Sequence, residues 1–309
     1  MRVLITGGAG FIGHNLALYL KHRGFNVVVV DNFERSTSRA LVKLSEAEIP
    51  VVKSDVRDKF TLKSLIENSD IVVHAAAYIS VEESFEKPAE YFNNNVGGTA
   101  SVAKTCLEHS KLLVYFSSAS VYGNPIKIPI PEDHPLKPLS PYGLSKLMSE
   151  QVVEFYGGLG LKYVIIRPFN VYGPGQSEAY AGVITRFINS ACRSKPLVVF
   201  GDGFQTRDFI FIDDISRLVE LVIEKTPTSE VFNAGSGVPT RILDLAKTVI
   251  RLMGVQVEIK HDKPRLGDIR DSWADMSKAR RLLGFYPAFT LENGLRITIR
   301  ELCPGFTRF

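Results

Sequence analysis

The chain has 309 residues, 45% of them hydrophobic and 23% charged, with 37 basic against 33 acidic side chains and a formal net charge of +4. This is ordinary globular composition, which excludes a disordered chain. The small basic excess suits an anionic small molecule and falls short of a nucleic-acid footprint. Cys106, Cys192 and Cys303 lie far apart with no Cys-x-x-Cys pair. Neither a metal knuckle nor a disulfide framework is therefore expected, and a reducing, cytoplasmic setting is. The apolar start Val3-Leu4-Ile5 is interrupted at once by glycines, unlike a leader. No apolar run approaches the roughly 20 residues needed to span a bilayer, so no membrane partner is expected.

Short apolar strands and helical patterns alternate through the first half. Strands are predicted at Arg2–Thr6, Asn26–Val30, Pro50–Lys53, Ile71–His74, Leu112–Phe116 and Tyr163–Arg167. Helices are predicted at about Phe11–Arg23, Asp58–Asn68, Pro88–His109 and Pro141–Tyr156. Strands this apolar between helices read as a parallel sheet covered on both faces, an α/β doubly wound fold. After Arg167 the elements shorten. Helices are expected near Val183–Cys192, Asp213–Glu224, Ile242–Met253 and Ser277–Leu283, with strands at Leu197–Phe200 and Phe209–Phe211. The expected organisation is a dinucleotide-binding domain over residues 1–173, rejoined by segments around 203–235, and a smaller substrate lobe over 174–309.

The first strand runs into Thr6-Gly7-Gly8-Ala9-Gly10-Phe11-Ile12-Gly13, a Gly-x-x-Gly-x-x-Gly turn opening a helix. Glycine permits the tight turn and lets backbone N–H groups approach a pyrophosphate, to which the helix N-terminus adds partial positive charge. Asp31 ends the second strand about 20 residues further on. A carboxylate there accepts from both ribose hydroxyls and repels a 2′-phosphate, favouring NAD over NADP. Asp55-Val56 follows the third strand, where an adenine edge can be met. The small residues of His74-Ala75-Ala76-Ala77 let a cofactor lie close, and His74 itself is read as structural.

Three further segments carry chemistry: Ser117–Gly123 after the fifth strand, Ser140–Lys146 opening a helix, and Arg167–Gly175. Ser140 is a good N-cap and Pro141 a good first helical residue. Tyr142 and Lys146 then share one helix face. A free tyrosine, with pKa near about 10, is a poor base at neutral pH. Positive charge from Lys146 and from an oxidised nicotinamide favours its phenolate. The Ser118 hydroxyl can bind the same reacting oxygen and help shuttle the proton.

These segments, together with Asn93–Thr99, Thr206–Asp214, Phe232–Gly237 and Arg265–Asp275, follow one another in an order that resembles the extended short-chain dehydrogenase/reductase family. Within it they resemble the UDP-glucose 4-epimerase branch. The resemblance runs from Thr6 to about Pro287. It implies Tyr142 as acid/base, Lys146 as its electrostatic partner and nicotinamide-ribose ligand, and Ser118 as hydroxyl helper. It places Gly7, Gly10, Phe11, Ile12, Gly13, Asp31, Asn32, Asp55, Val56, Ala75, Ala76, Asn95, Ser117 and Pro168 around NAD. A UDP-sugar would meet Asn170, Val183, Val198, Phe200, Arg207, Arg265, Asp268 and Ser272, with guanidinium forks suited to its diphosphate. A homodimer is implied too, through a four-helix contact of the segments Pro88–His109 and Pro141–Tyr156.

The family hosts several reactions, and fold does not choose among them. The related 4,6-dehydratases carry an Asp-Glu pair in the strand-end motif, and the decarboxylases a Glu at its second position. Ala119 and Ser120 stand there in this chain. Elimination needs an acid and a base that these residues do not provide, whereas epimerisation needs only reversible oxidation at C4. Where several epimerases carry an asparagine, this chain has Gly182. Ser272, just before Trp273, aligns with a position whose size is linked in the family to admitting N-acetylated sugars. The expected activity is interconversion of UDP-glucose and UDP-galactose, extending to N-acetyl forms. The alternatives are a uronate epimerase, dehydratase or reductase of the same family, and a non-catalytic NAD-binding protein, which has no need of Ser118, Tyr142 and Lys146 together.

Overall fold

The computed structural model describes residues 1–264 and 269–306. Chain order begins β1 (Arg2–Thr6), α1 (Phe11–His22), β2 (Asn26–Asp31), α2 (Ser38–Glu46), β3 (Val51–Lys53), α3 (Lys59–Glu67) and β4 (Ile71–His74). It continues through α4 (Val81–Glu86), α5 (Pro88–Tyr91), α6 (Gly98–Glu108), β5 (Leu112–Phe116), α7 (Pro141–Gly158), β6 (Tyr163–Pro168) and β7 (Asn170–Tyr172). Then follow α8 (Val183–Cys192), β8 (Leu197–Phe200), β9 (Thr206–Phe211), α9 (Ile212–Lys225), β10 (Glu230–Ala234), β11 (Pro239–Arg241) and α10 (Ile242–Met253). The last are β12 (Ile259–Asp262), β13 (Asp271–Ser272), α11 (Ser277–Leu283) and α12 (Leu291–Leu302).

Seven strands form one parallel sheet in the order β10-β6-β5-β4-β1-β2-β3. Alternate side chains feed two separate cores, as the two-residue strand period requires. Val3 and Ile5 face one core with α1 and α9, while Leu4 faces the other with Val102 of α6 and Val153 of α7. Leu4 is wholly buried, so trimming it to alanine would cost about 2–5 kcal/mol. The strand order reverses between β1 and β4, and the crevice outside the carboxyl ends of strands at such a reversal is where doubly wound sheets bind ligands. A small sheet of β11, β9, β13 and β7 lies beyond it, and β8 pairs with β12.

Several expectations change in detail. The predicted helix Pro88–His109 contains a π-helical stretch at Phe92–Gly97 between α5 and α6. β10 is the seventh strand of the main sheet, its short run Glu230–Ala234 being interrupted by the polar Asn233. α2, α4 and α12 were not anticipated. In α12 the dipeptide Asn293-Gly294 imitates a turn, yet the Thr290 hydroxyl caps the helix by accepting from Asn293 N–H at 3.2 Å. Gly294 is small because Tyr172 packs on it: a Cβ there would sit 2.2 Å from the Tyr172 hydroxyl. Cys192, ending α8, and Cys303, which follows α12, are neighbours in space, with Cα atoms 6.2 Å apart. The two helices pack together, so distance along the chain misled about distance in space; Cys106 is free and buried. Among the described residues no helix is long and apolar enough to cross a membrane.

Candidate active site

The glycine turn is built by close approach. Gly7 has φ +65°, and a Cβ on it would lie 2.6 Å from Ala76 backbone; on Gly13 a Cβ would lie 2.2 Å from the Gly7 carbonyl oxygen. Only glycine fits either place. Gly10 caps α1 with no side-chain acceptor of its own, so the first N–H groups of the helix stay open toward the crevice mouth. The cleft there is lined by Gly7, Gly10, Asp31, Asn32, Asp55, Val56, Ala75, Ala76 and Asn94, among others. Phe11 and Ile12, the first residues of α1, are partly buried, with side chains packed against the core.

Asp31 accepts from Phe33 N–H at 2.8 Å and from Ala9 N–H at 3.0 Å. Burial nevertheless holds its pKa above the ordinary carboxylate value. Asp55 is gripped by Arg57 through Nε at 2.7 Å and Nη2 at 2.8 Å and receives Asn32 Nδ2 at 3.3 Å. The guanidinium pushes its pKa down to about 2. The set fits a dinucleotide with a free 2′-hydroxyl: a backbone cradle that any Cβ would fill, and a carboxylate at the ribose end.

Asn95 is in the neighbourhood, but its amide is fully engaged. Oδ1 accepts from Tyr78 N–H at 2.8 Å, and Nδ2 donates to the Tyr78 carbonyl at 3.0 Å and to Ser145 Oγ at 2.9 Å. It brackets the loop after β4 to α7, and its neighbour Asn94 is the one that lines the cleft. The π-helical stretch at Phe92–Gly97, invisible to a 3.6-residue pattern, contains both asparagines. His74 is likewise structural: Nδ1 lies 2.6 Å from Thr6 Oγ1 and Nε2 3.1 Å from Thr99 Oγ1, and burial lowers its pKa to about 3.

α7 begins as read. Ser140 Oγ accepts from Gly143 N–H at 3.0 Å, with Pro141 at the first helical position. Tyr142 and Lys146 are 8% and 3% exposed. Burial raises the tyrosine's pKa, and a hydrogen bond from Ser118 acts against that rise. Burial pushes Lys146 down to about 7, opposed by the charge of Glu150 one turn further on. Lys146 Nζ lies 4.6 Å from the centre of the Tyr115 ring, a cation–π contact. Ser118, in extended backbone at the end of β5, accepts from Ser120 N–H at 3.1 Å.

Beneath these groups lies a buried ionic network that the motif reading did not identify. Arg167 donates to Glu150 through Nε at 3.0 Å and Nη2 at 2.7 Å, and both side chains are almost wholly buried. Arg167 Nη1 reaches Tyr122 Oη at 3.0 Å and the Glu132 carbonyl at 2.9 Å. Tyr122 in turn donates to Asn233 at 2.6 Å. The Ser117 hydroxyl donates to Glu150, so this side chain belongs to the network below the site. Pro168 is buried at the end of β6, beside Ala234 of β10. The signal in the sequence was Glu150 standing one helical turn beyond Lys146.

Toward the small sheet, Asn170 Nδ2 donates to the Asp208 carbonyl at 2.9 Å. Arg207 stands on β9, in parallel register with Ser272 of β13. Val198 and Phe200 alternate with the buried Leu197 and Val199 along β8, and Val198 is exposed. Val183 opens α8, after Gly182. Arg265 and Asp268 lie outside the described residues. Asp208, not singled out from sequence, is completely buried. It accepts from N–H groups of Ser236 at 2.7 Å, Gly237 at 2.9 Å and Ala274 at 3.1 Å, pinning the segments after β10 and β13 to β9.

A doubly wound sheet with this cradle, carboxylate and Ser/Tyr/Lys set defines an NAD-dependent enzyme. The chain belongs to the NAD-dependent epimerase/dehydratase family, whose model matches residues 3–235. It is 34% identical over 305 residues to a UDP-glucose 4-epimerase of Mycolicibacterium smegmatis, covering 97% of each chain. A UDP-glucose 4-epimerase from Thermotoga maritima, solved with UDP-glucose, superposes with a TM-score of 0.92 at 33% identity, covering 97% of this chain and 98% of the other. A UDP-glucuronic acid 4-epimerase from Bacillus cereus, solved with UDP-glucuronic acid and NAD, gives 0.91 at 32% identity, covering 98% and 99%. NAD is the cofactor, and the chain is an enzyme of the sugar-nucleotide epimerase/dehydratase class.

Proposed function

We propose that the protein interconverts UDP-glucose and UDP-galactose by reversible oxidation at C4, and that it also accepts their N-acetyl forms. The observation that carries this reading is the burial of Tyr142 and Lys146 together on one face of α7, with Ser118 hydrogen-bonded to the tyrosine and uncharged Ala119 and Ser120 beside it. The chemistry NAD supplies when bound is exchange of a hydride with sugar C4. Tyr142 takes the proton from O4 and later returns it. Lys146 stabilises the phenolate through space, offsetting the burial that holds the phenol protonated. Ser118 hydrogen-bonds O4 and shares the proton. The absence of a carboxylate at positions 119 and 120 favours epimerisation over elimination.

Arg207, with Arg265 and Asp268, is assigned to the diphosphate and ribose, Phe200 and Val198 to the base, and Asn170, Val183 and Ser272 to the remainder. Ser272 beside Arg207 leaves room next to the sugar. Residues 1–173 with the segment through β10 are proposed as the cofactor domain and the remainder as the substrate lobe. A homodimer is proposed through α7 and its neighbours: Leu144, Met148 and Phe155 form an exposed apolar stripe on α7, next to exposed Val81 and Phe85 on α4. Such patches on a globular surface mark interaction sites.

The test is product analysis with UDP-galactose, with and without added NAD, by anion-exchange chromatography. UDP-glucose should appear with no net NADH, and UDP-N-acetylglucosamine should also turn over. Ser272→Tyr should abolish the second reaction and keep the first. If UDP-galactose is left unchanged while UDP-glucuronate is converted, the hexose assignment fails in favour of the uronate reading, which the Bacillus cereus relative motivates.

A further inference from the structure

The loop that leaves β2 doubles back across the cofactor cleft. Phe33 takes a positive φ of 67°, and its N–H is held by Asp31. Asn32 Oδ1 accepts from Glu34 N–H at 3.1 Å. The turn delivers Arg35 to the cleft lining. Its guanidinium carbon lies 3.7 Å from the centre of the Tyr78 ring and 4.8 Å from that of Tyr180. Tyr78 follows β4, whereas Tyr180 belongs to a 3-10 turn just before α8, far along the chain. The Arg35 side chain is 18% exposed, with Nη1 2.7 Å from Glu83 Oε2. The ion pair with Glu83 holds the guanidinium in place on the rings and, with a contact to Tyr91, keeps its pKa high. The Tyr78 hydroxyl is anchored by Glu34 at 2.5 Å, so the stacking platform is fixed as well.

Charge gives the arrangement its meaning. The cleft lining holds the carboxylates of Asp31 and Asp55, and among the described residues that line it Arg35 is the one cation. A dinucleotide brings a pyrophosphate with about two negative charges into this setting. Backbone N–H groups and a helix end supply partial charge only. A guanidinium stacked on aromatic faces keeps its edge donors available for phosphate oxygens. It also brings together two loops that are distant in the chain.

We propose that Arg35 is a cationic clasp on the cofactor: it faces the pyrophosphate of NAD and, stacked with Tyr78 and Tyr180, bridges the loop after β2 to the loop before α8, so that NAD stays bound between turnovers. This rests on the reading of the cleft as the NAD site and not on which sugar is used. The test measures protein-bound NAD after exhaustive dialysis, and its release rate when an excess of an NAD-consuming dehydrogenase traps what leaves. Arg35→Ala should release NAD about tenfold faster, equivalent to about 1.4 kcal/mol, and Arg35→Lys less than that because charge without stacking remains. Tyr180→Ala, which touches no part of the glycine turn, should speed release a few-fold with the charge intact. Release at the wild-type rate from Arg35→Ala overturns the proposal. Wild-type release from Tyr180→Ala overturns the bridging part. A failed sugar assignment would look different: NAD retained, and no C4 product from UDP-galactose.

Discussion

The two ends of the candidate site are built on opposite plans. The floor under Tyr142 and Lys146 is buried, ionic and fully engaged: Glu150, Arg167, Tyr122 and Asn233 hold one another through hydrogen bonds that span α7, β6 and β10. Strand β8 instead presents alternate side chains outward, with Val198 exposed, and Arg207 at the start of β9 and Ser272 on β13 are only partly covered. On the proposed function, the reacting end is therefore organised before substrate arrives, whereas the reading end is shaped by side chains that can change without disturbing a core. Preorganised dipoles and charges serve a transition state best in dry surroundings, and substrate discrimination needs surfaces that meet whatever enters.

The sharpest way to separate the two ends is Tyr142→Phe. Loss of the acid/base should lower kcat by about 10²–10⁴ while KM stays near the parent value; an unchanged kcat would remove Tyr142 from the chemistry. Glu150→Gln strikes the floor itself and leaves Arg167 as a buried charge without its partner. Stability should fall by about 3–5 kcal/mol, read by denaturant unfolding. The same substitution removes the anion that favours protonated Lys146, so that lysine's pKa drops further below about 7. The alkaline limb of the kcat profile should accordingly move to lower pH, and Glu150→Asp should partly restore it. A role in packing alone would leave that limb where it is. Arg207→Ala tests the other end and should act the opposite way, raising KM for the sugar nucleotide about tenfold or more with a smaller change in kcat. If it lowered kcat as steeply as Tyr142→Phe, the division between the two ends would not hold.

How much of this was legible before the fold depended on what kind of pattern carries each feature. The strands β1, β4 and β5 and the helices α8, α10 and α11 are found at the predicted bounds because apolar runs and caps are local signals. The glycine turn, Asp31 and the Tyr142/Lys146 pair are local too, since a turn, a strand end and one helical period define them. Glu150 with Arg167 could not be paired from sequence, because contact between α7 and β6 is a property of the sheet order. Asp208 was hidden for the same reason: its acceptors are filled by Ser236, Gly237 and Ala274, all remote in the chain. The closeness of Cys192 and Cys303 likewise needs the packing of α12 on α8. Asn95 shows the converse, a residue found in the right place whose amide is occupied by the scaffold.

The position of β10 has a consequence for how such a protein can diversify. The last strand of the cofactor sheet is laid down only after β7, β8 and β9 have been made, and it then pairs with β6. A gene exchange that replaced everything after residue 173 would carry away one edge of the seven-stranded sheet, and with it Asn233 from the network beneath α7. Wholesale swapping of substrate modules is thereby closed off. New sugars have to be admitted one side chain at a time, and the incompletely covered positions Val198, Arg207 and Ser272 are where such single changes disturb the inherited core least.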